Sequence, residues 1–202
     1  MKNYICFNGK KVELTSDQVA QIKKSLGISE VKLSDIPVGE TFKIGEHEFI
    51  VLEQSGDTTA VILKELLHDN KEFGKNNNYM NSYADDICND FGYKIADVIG
   101  KENLIEHEVD LTSDDGLKDY GKIKRYMSLL TANLYRRYVE ILDKYKLDSW
   151  WWLSTAYSTP THDHTSWVKC VSPVGRISNN DCDINIGVRP FCILKSNIFV
   201  SK

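Results

Sequence analysis

The sequence predicts an α+β fold: a mixed or antiparallel sheet, flanking helices and a C-terminal β region. Three observations carry this expectation. Apolar and polar residues alternate through "TFKIGEHEFIVLEQSGDTTAVILKELL" from Thr41, the period-two signature of strands. Helical spacing takes over in two later stretches, after Ser82 and after Thr131. From Trp150 onward the pattern is β again, cut by short turns.

The elements follow in order. Residues 1–30 read as a small unit ahead of a main domain over 33–202, joined by "ISEVKLSDIPVGE". In the small unit, strands at 3–7 and 11–14 flank Asn8-Gly9, a favoured hairpin dipeptide. A helix follows, with Thr15 and Gln18 spaced as a capping box, Val19, Ile22 and Leu26 on one face, and Gly27 as its stop. In the main domain, strands near 41–44, 47–54 and 58–64 form a meander with turns at Gly45-Glu46 and Ser55-Gly56-Asp57. "HDNKEFGKNNNYMN" reads as a surface loop. A helix starts near Ser82, with Tyr83, Ala84, Ile87 and Phe91 on one face, and a second short piece over 93–99 stops at Gly100. "LIEHEVDL" reads as one strand and "TSDDGLKDYGK" as loop. The clearest helix is "TANLYRRYVEILDKY", where Thr131 can cap and Leu134, Tyr135, Tyr138, Ile141, Leu142 and Tyr145 form the apolar stripe. The closing strands fall at 150–154, 166–172, 176–179 and 187–194, the middle two joined by the turn "SPVGR".

Composition excludes several classes. The chain has 202 residues and a net charge of −4, which gives no general attraction to nucleic acid or to an anionic membrane. Its five cysteines are an odd number without a Cys-x-x-Cys, which points to reduced thiols rather than a disulfide framework. The apolar part of "MKNYICFNGKK" is too short for a signal-peptide core, and no apolar run has the length of a transmembrane helix. No phosphate-binding glycine loop and no Gly-x-Ser-x-Gly turn is present. His47-Glu48 opens like a zinc protease motif, but the second histidine is missing. Asp110, Thr112 and Asp114 resemble the start of a calcium loop, yet the glycine is one residue late and Gly121 stands where glutamate is needed. Arg136 and Arg137 lie on the solvated side of their helix, so the Tyr-Arg-Arg-Tyr run is not read as a nucleic-acid contact.

Two stretches hold the candidate site. In "DSWWWLSTAYSTPTHDH", strand geometry puts Trp150 and Trp152 on one face and Trp151 on the other. At least two of the three are expected in the core, and an exposed one would be a recognition anchor. His162 and His164 would point the same way in an extended segment and could bind a metal with Cys170 or Cys182, whereas a polar connecting loop is the plainer reading. In "GVRPFCIL", Pro190 calls for an edge, a strand start or a bulge. Arg189, set in an apolar run, should be buried against an acidic or carbonyl partner.

The motifs "WWLST", "VKCVSPVGRI" and "GVRPFCIL", with "FKIGEHEFIVLE", "NNNYMNSYADDICNDF" and "LLTANLYRRY" upstream, resemble a family of uncharacterised domains. That family is common in low-GC Gram-positive bacteria, their prophages and phages, and is marked by W-W-L-(R/A)-(S/T)-P, a V-x-x-x-G hairpin and G-V-R-P. The likeness covers about residues 33–195. Ser154 stands where many members have arginine, and Ala156 where the usual proline falls. The layout is also similar to C-type-lectin-like folds. The resemblance implies no catalytic residues and no cofactor. The resulting expectation is a non-enzymatic binding module for a host protein or surface glycan, with no nucleic-acid or membrane partner. It would act in the host cytoplasm, for instance as an inhibitor of a host or defence protein, or on a virion. Its site would lie on loops at 157–167 and 179–185. Trp151 or Trp167 would be the anchor, with Tyr157, His162, His164, Asn180 and Asp181 around it. Arg189, Trp152 and Gly187 would be structural. Two alternatives stay open: a metal-dependent enzyme built on His162 and His164, and a subunit whose apolar surface assembles into an oligomer.

Overall fold

A computed structural model describes residues 3–7, 10–25 and 30–202. Strands β1 (Asn3–Phe7) and β2 (Lys10–Leu14) pair antiparallel, and α1 (Ser16–Ser25) follows. The expected Asn8-Gly9 turn and Gly27 stop lie outside the described residues. The capping box forms as spaced: the Thr15 amide donates to Gln18 Oε1 (2.9 Å) and the Gln18 amide to Thr15 Oγ1 (3.3 Å).

The rest is built on two sheets. The larger comprises β3 (Glu30–Lys32), β4 (Thr41–Ile44), β5 (His47–Ser55), β6 (Thr58–Leu63), β8 (Leu104–Ile105), β11 (Met127–Ser128), β16 (Phe191–Lys195) and β17 (Phe199–Ser201). Its order is β11-β16-β6-β5-β4-β17-β3, with β8 also on β16, and every pairing is antiparallel. The smaller contains β7 (His68–Lys71), β12 (Trp151–Ala156), β13 (Trp167–Val171), β14 (Ile177–Asp181) and β15 (Ile186–Val188), in the order β14-β13-β12-β15-β7. Only its β12–β15 contact is parallel. Strands β9 (His107–Asp110) and β10 (Lys122–Arg125) make a separate ribbon. The α+β expectation therefore holds.

Two helices cover the sheets on different faces. α2 (Tyr83–Ile99) packs Ala84, Cys88, Phe91 and Ile95 into one core with Phe49, Val51, Val61 and Trp152. α3 (Ala132–Leu142) packs Tyr135, Tyr138 and Leu142 into a second core with Ile50, Leu52, Ile62, Trp151 and Val171. Residues 49–52 are thus buried on both faces of β5, so the strand interior is a continuous apolar run rather than an alternation. Each such side chain contributes about 1.5–3 kcal/mol of burial. Thr131 caps α3 as the sequence indicates, its Oγ1 accepting from the Leu134 amide (3.1 Å), and Ser82, at the expected start of α2, caps that helix by accepting at Oγ from the Asp85 amide (3.1 Å).

Several expectations are corrected. α2 is one helix, not two. Gly92 lies within it, where a Cβ would sit 3.2 Å from Met127 Cβ, so glycine lets the helix approach β11 closely. The stretch 104–111 is two strands, because the chain leaves β16 after Ile105 and turns into the β9–β10 ribbon. The stretch 187–194 is also two strands, in different sheets. Pro190, with no amide hydrogen to donate, sits in the break just ahead of β16. The supposed surface loop after Leu67 begins with β7 and carries Phe73, Asn77 and Tyr79 fully buried. No described helix is long and apolar enough to cross a membrane.

Candidate functional site

The three adjacent tryptophans have separate fates. Trp152 is buried, its Nε1 donates to Lys71 O (2.9 Å), and its ring meets Phe73 edge-on. Trp151 is only 2% exposed, under α3, with the Tyr135 ring 5.7 Å away and the Arg189 guanidinium 5.3 Å from its own ring centre. The expectation that Trp151 could anchor a ligand is therefore corrected: α3 occupies the face it would have offered. Trp150, just ahead of β12, is 39% exposed.

Arg189 is buried and donates from Nε to Leu63 O (2.8 Å) and from Nη2 to Lys64 O (2.7 Å). Its partners are carbonyls, so its charge has no neutralising bond, and burial pushes its pKa down to about 10. Gly187 is held by steric need. Its amide donates to Trp150 O (2.8 Å), and an added Cβ would lie 2.5 Å from Leu66 Cδ1 and 2.9 Å from Trp150 O. Arg189, Gly187 and Trp152 thus work in the frame, away from solvent.

The open part of the smaller sheet lies at the other end of β13. Trp167 is 39% exposed. Tyr157 lies 5.5 Å from it, His164 5.0 Å from it, and those two rings are 5.3 Å apart, all edge-on or tilted. Asp181 is directly opposite Trp167 across the β13–β14 ladder, which puts both side chains on one face. Asn180 is opposite the buried Val168, so alternation sends its side chain to the other face. The expected grouping of Asn180 with Trp167 is corrected for that reason. Both residues also belong to β14, which runs further than expected, rather than to a loop.

The two histidines do not converge. Residues 160–162 form a 3-10 turn and Asp163 takes a left-handed φ of 56°, so the segment is not extended. His162 Nδ1 lies 3.0 Å from Asp115 Oδ2, whereas His164 joins the ring cluster. Cys170 and Cys182 are buried, and the described residues hold no group of three or more His, Cys, Asp or Glu placed to bind a metal. The expected convergence of His162 and His164 is corrected accordingly: the turn sends them to different partners.

What holds the platform was not foreseen. Buried Asn77 donates from Nδ2 to Ser158 O (3.0 Å), Trp167 O (3.1 Å) and His164 O (3.4 Å), and its amide donates to Thr165 O (2.8 Å). Its Oδ1 accepts from Tyr120 Oη (2.6 Å). A strap between β9 and β10 clasps the same loop from outside. Ser158 Oγ donates to Asp115 Oδ2 (2.6 Å), and Thr159 Oγ1 (2.7 Å) and Thr161 Oγ1 (2.6 Å) both donate to Asp119 Oδ2. The hydroxyls of Ser113 and Ser158, then His162, hold the Asp115 carboxyl well below the usual range, and Thr161 and Thr159 lower Asp119. Lys169, almost buried under Tyr157, bonds Asp114 Oδ2 (3.0 Å). No local signal separates Asn77 from Asn76 and Asn78 in the sequence. The strap carboxylates meet their partners about forty residues on, beyond the reach of any pattern.

The clasp groups are committed to one another. The exposed Trp167 ring, flanked by half-buried Tyr157 and His164, and Asp181 are what the site turns outward: a stacking surface beside a hydrogen-bond acceptor. No protein-family model, no curated protein and no solved structure matches this chain.

Proposed function

We propose that this protein is a non-enzymatic binding module whose recognition surface is the Tyr157–His164–Trp167 platform, with Asp181 at its rim. One observation supports it above the others: a large aromatic side chain left 39% exposed at the start of β13, beside a loop that is pinned from beneath by Asn77 and from outside by two carboxylates. Preformed rings lose little freedom on binding, which favours affinity. The target is a host protein or a surface glycan, met in the host cytoplasm or from a virion. The closing motifs support a phage or prophage origin and a C-type-lectin-like fold as the finer form of this reading.

The test is affinity capture with immobilised protein, using host lysate and solubilised cell-wall glycan. Trp167→Ala should release whatever the wild type retains. Trp150→Ala, which removes an equally exposed indole away from the platform, should keep it. Equal retention by all three proteins would sink the reading.

A further inference from the structure

Resting on the binding-module reading, we infer that the Trp167 platform takes an uncharged oligosaccharide, with a pyranose ring stacked on the indole and Asp181 accepting from its hydroxyls. The first argument is what surrounds the ring. Directly across the ladder stands an exposed carboxylate, Asp181; Thr165 and Ser166 precede Trp167 in the chain, and the neighbouring rings, Tyr157 and His164, carry polar atoms. A sugar has the matching form: an apolar face of C–H groups with a rim of hydroxyls. An anchor for a protein works differently, because a hot spot is fully desolvated at the centre of an interface, and that would bury the Asp181 carboxylate beside it.

The second argument is charge. Lys169, on this face, is nearly buried and bonded to Asp114, so it is not offered to a ligand. Asp181 is exposed, and the chain carries a net charge of −4. A phosphate-bearing polymer would meet repulsion here, whereas a neutral sugar would not. The third is rigidity. Trp167 O accepts from both Asn77 Nδ2 (3.1 Å) and the Tyr157 amide (2.9 Å), so the backbone under the indole is set before any ligand arrives.

The experiment presents the full chain to an array of uncharged oligosaccharides built from hexoses, N-acetylhexosamines and 6-deoxyhexoses, with a glycerol-phosphate polymer alongside. Hits are followed by calorimetric titration. Saturable binding to at least one neutral oligosaccharide is expected. It should weaken about tenfold or more in Trp167→Ala and less in Trp167→Phe, which keeps a stacking ring, and Asp181→Asn should weaken it about threefold. Salt should leave it nearly unchanged, as no ion pair forms. An array without a hit, a hit indifferent to Trp167→Ala, or preference for the phosphate polymer would each overturn the inference. If the array is blank but a protein is captured in a Trp167-dependent way, the sugar assignment fails and the binding module stands. If neither depends on Trp167, both fail.

Discussion

Trp151 and Trp167 lie on the same face of one sheet, and only one of them meets solvent. Trp151 pairs with Val171, Val171 follows Lys169 and Trp167 at strand parity, and α3 ends its cover between them. The covered half is held by packing: Tyr135, Arg189 and Leu153 surround the indole. The open half is held by hydrogen bonds to Asn77 and to the strap carboxylates. The same residue type is thus core at one end and candidate ligand platform at the other, and the deciding factor is a helix contributed from elsewhere in the chain.

The widest way to break this contrast is to remove each indole in turn. Trp151→Ala should cost about 3–5 kcal/mol of stability, the range for a truncated core aromatic. Trp167→Ala should stay within about 1 kcal/mol, as surface substitutions do. Urea melts of the two variants check this, and equal losses would erase the distinction between the halves.

Acid should separate the halves next. His107 packs on Phe191 beside the core under α3, with Nε2 2.9 Å from Ser128 Oγ, and burial pushes its pKa down from 6.5 to about 4. The native state therefore prefers the neutral ring. Its contribution is whole above pH 6.5, where the unfolded chain is also neutral, and is lost as pH falls toward 4, by about 3 kcal/mol. Asp115 and Asp119 are lowered from 3.8, so their contribution persists above that value and fades only below it. Denaturation midpoints taken from pH 7 to 3 should show the first loss in wild type and its absence in His107→Gln.

Smaller effects sharpen the account of the open half. Asn77→Ala strands the Ser158 carbonyl and the Tyr120 hydroxyl and leaves the Trp167 carbonyl with the Tyr157 amide alone, which should cost about 2–3 kcal/mol, with faster amide exchange over 157–167 and little change in β5 and β6. Asp115→Asn keeps shape but weakens an exposed clasp. About 1 kcal/mol or less is expected, together with a wider spread of His162 and Ser158 conformations by NMR.

The elements legible in the sequence are those written in local code. Thr15 with Gln18, and Thr131 ahead of the Leu134–Tyr135–Tyr138 stripe, name their helices because cap and stripe lie within a few residues. Arg189 was legible as a buried donor, since an apolar run leaves it no water. What escaped depends on contacts far apart in the chain. Polarity marks Asn77 as surface, yet it is buried because carbonyls from 158–167 converge on it. Alternation puts Trp151 and Trp150 on opposite faces, but that α3 covers the Trp151 face is not written in either residue. Periodicity places His162 and His164 together, but the 3-10 turn and left-handed Asp163 part them.

The passage from β15 to β16 takes two residues, Arg189 and Pro190, and in that step the backbone changes sheet. The Arg189 side chain then reaches back to the carbonyls of Leu63, the last residue of β6 in the larger sheet, and of Lys64 just after it, while its guanidinium lies over Trp151 in the smaller. Pulling the sheets apart would drag a charged group away from these carbonyls or from the ring it covers. The two sheets should therefore behave as one cooperative unit, melting in a single transition and sharing a single slowest exchange class, even though α3 covers only part of the smaller sheet.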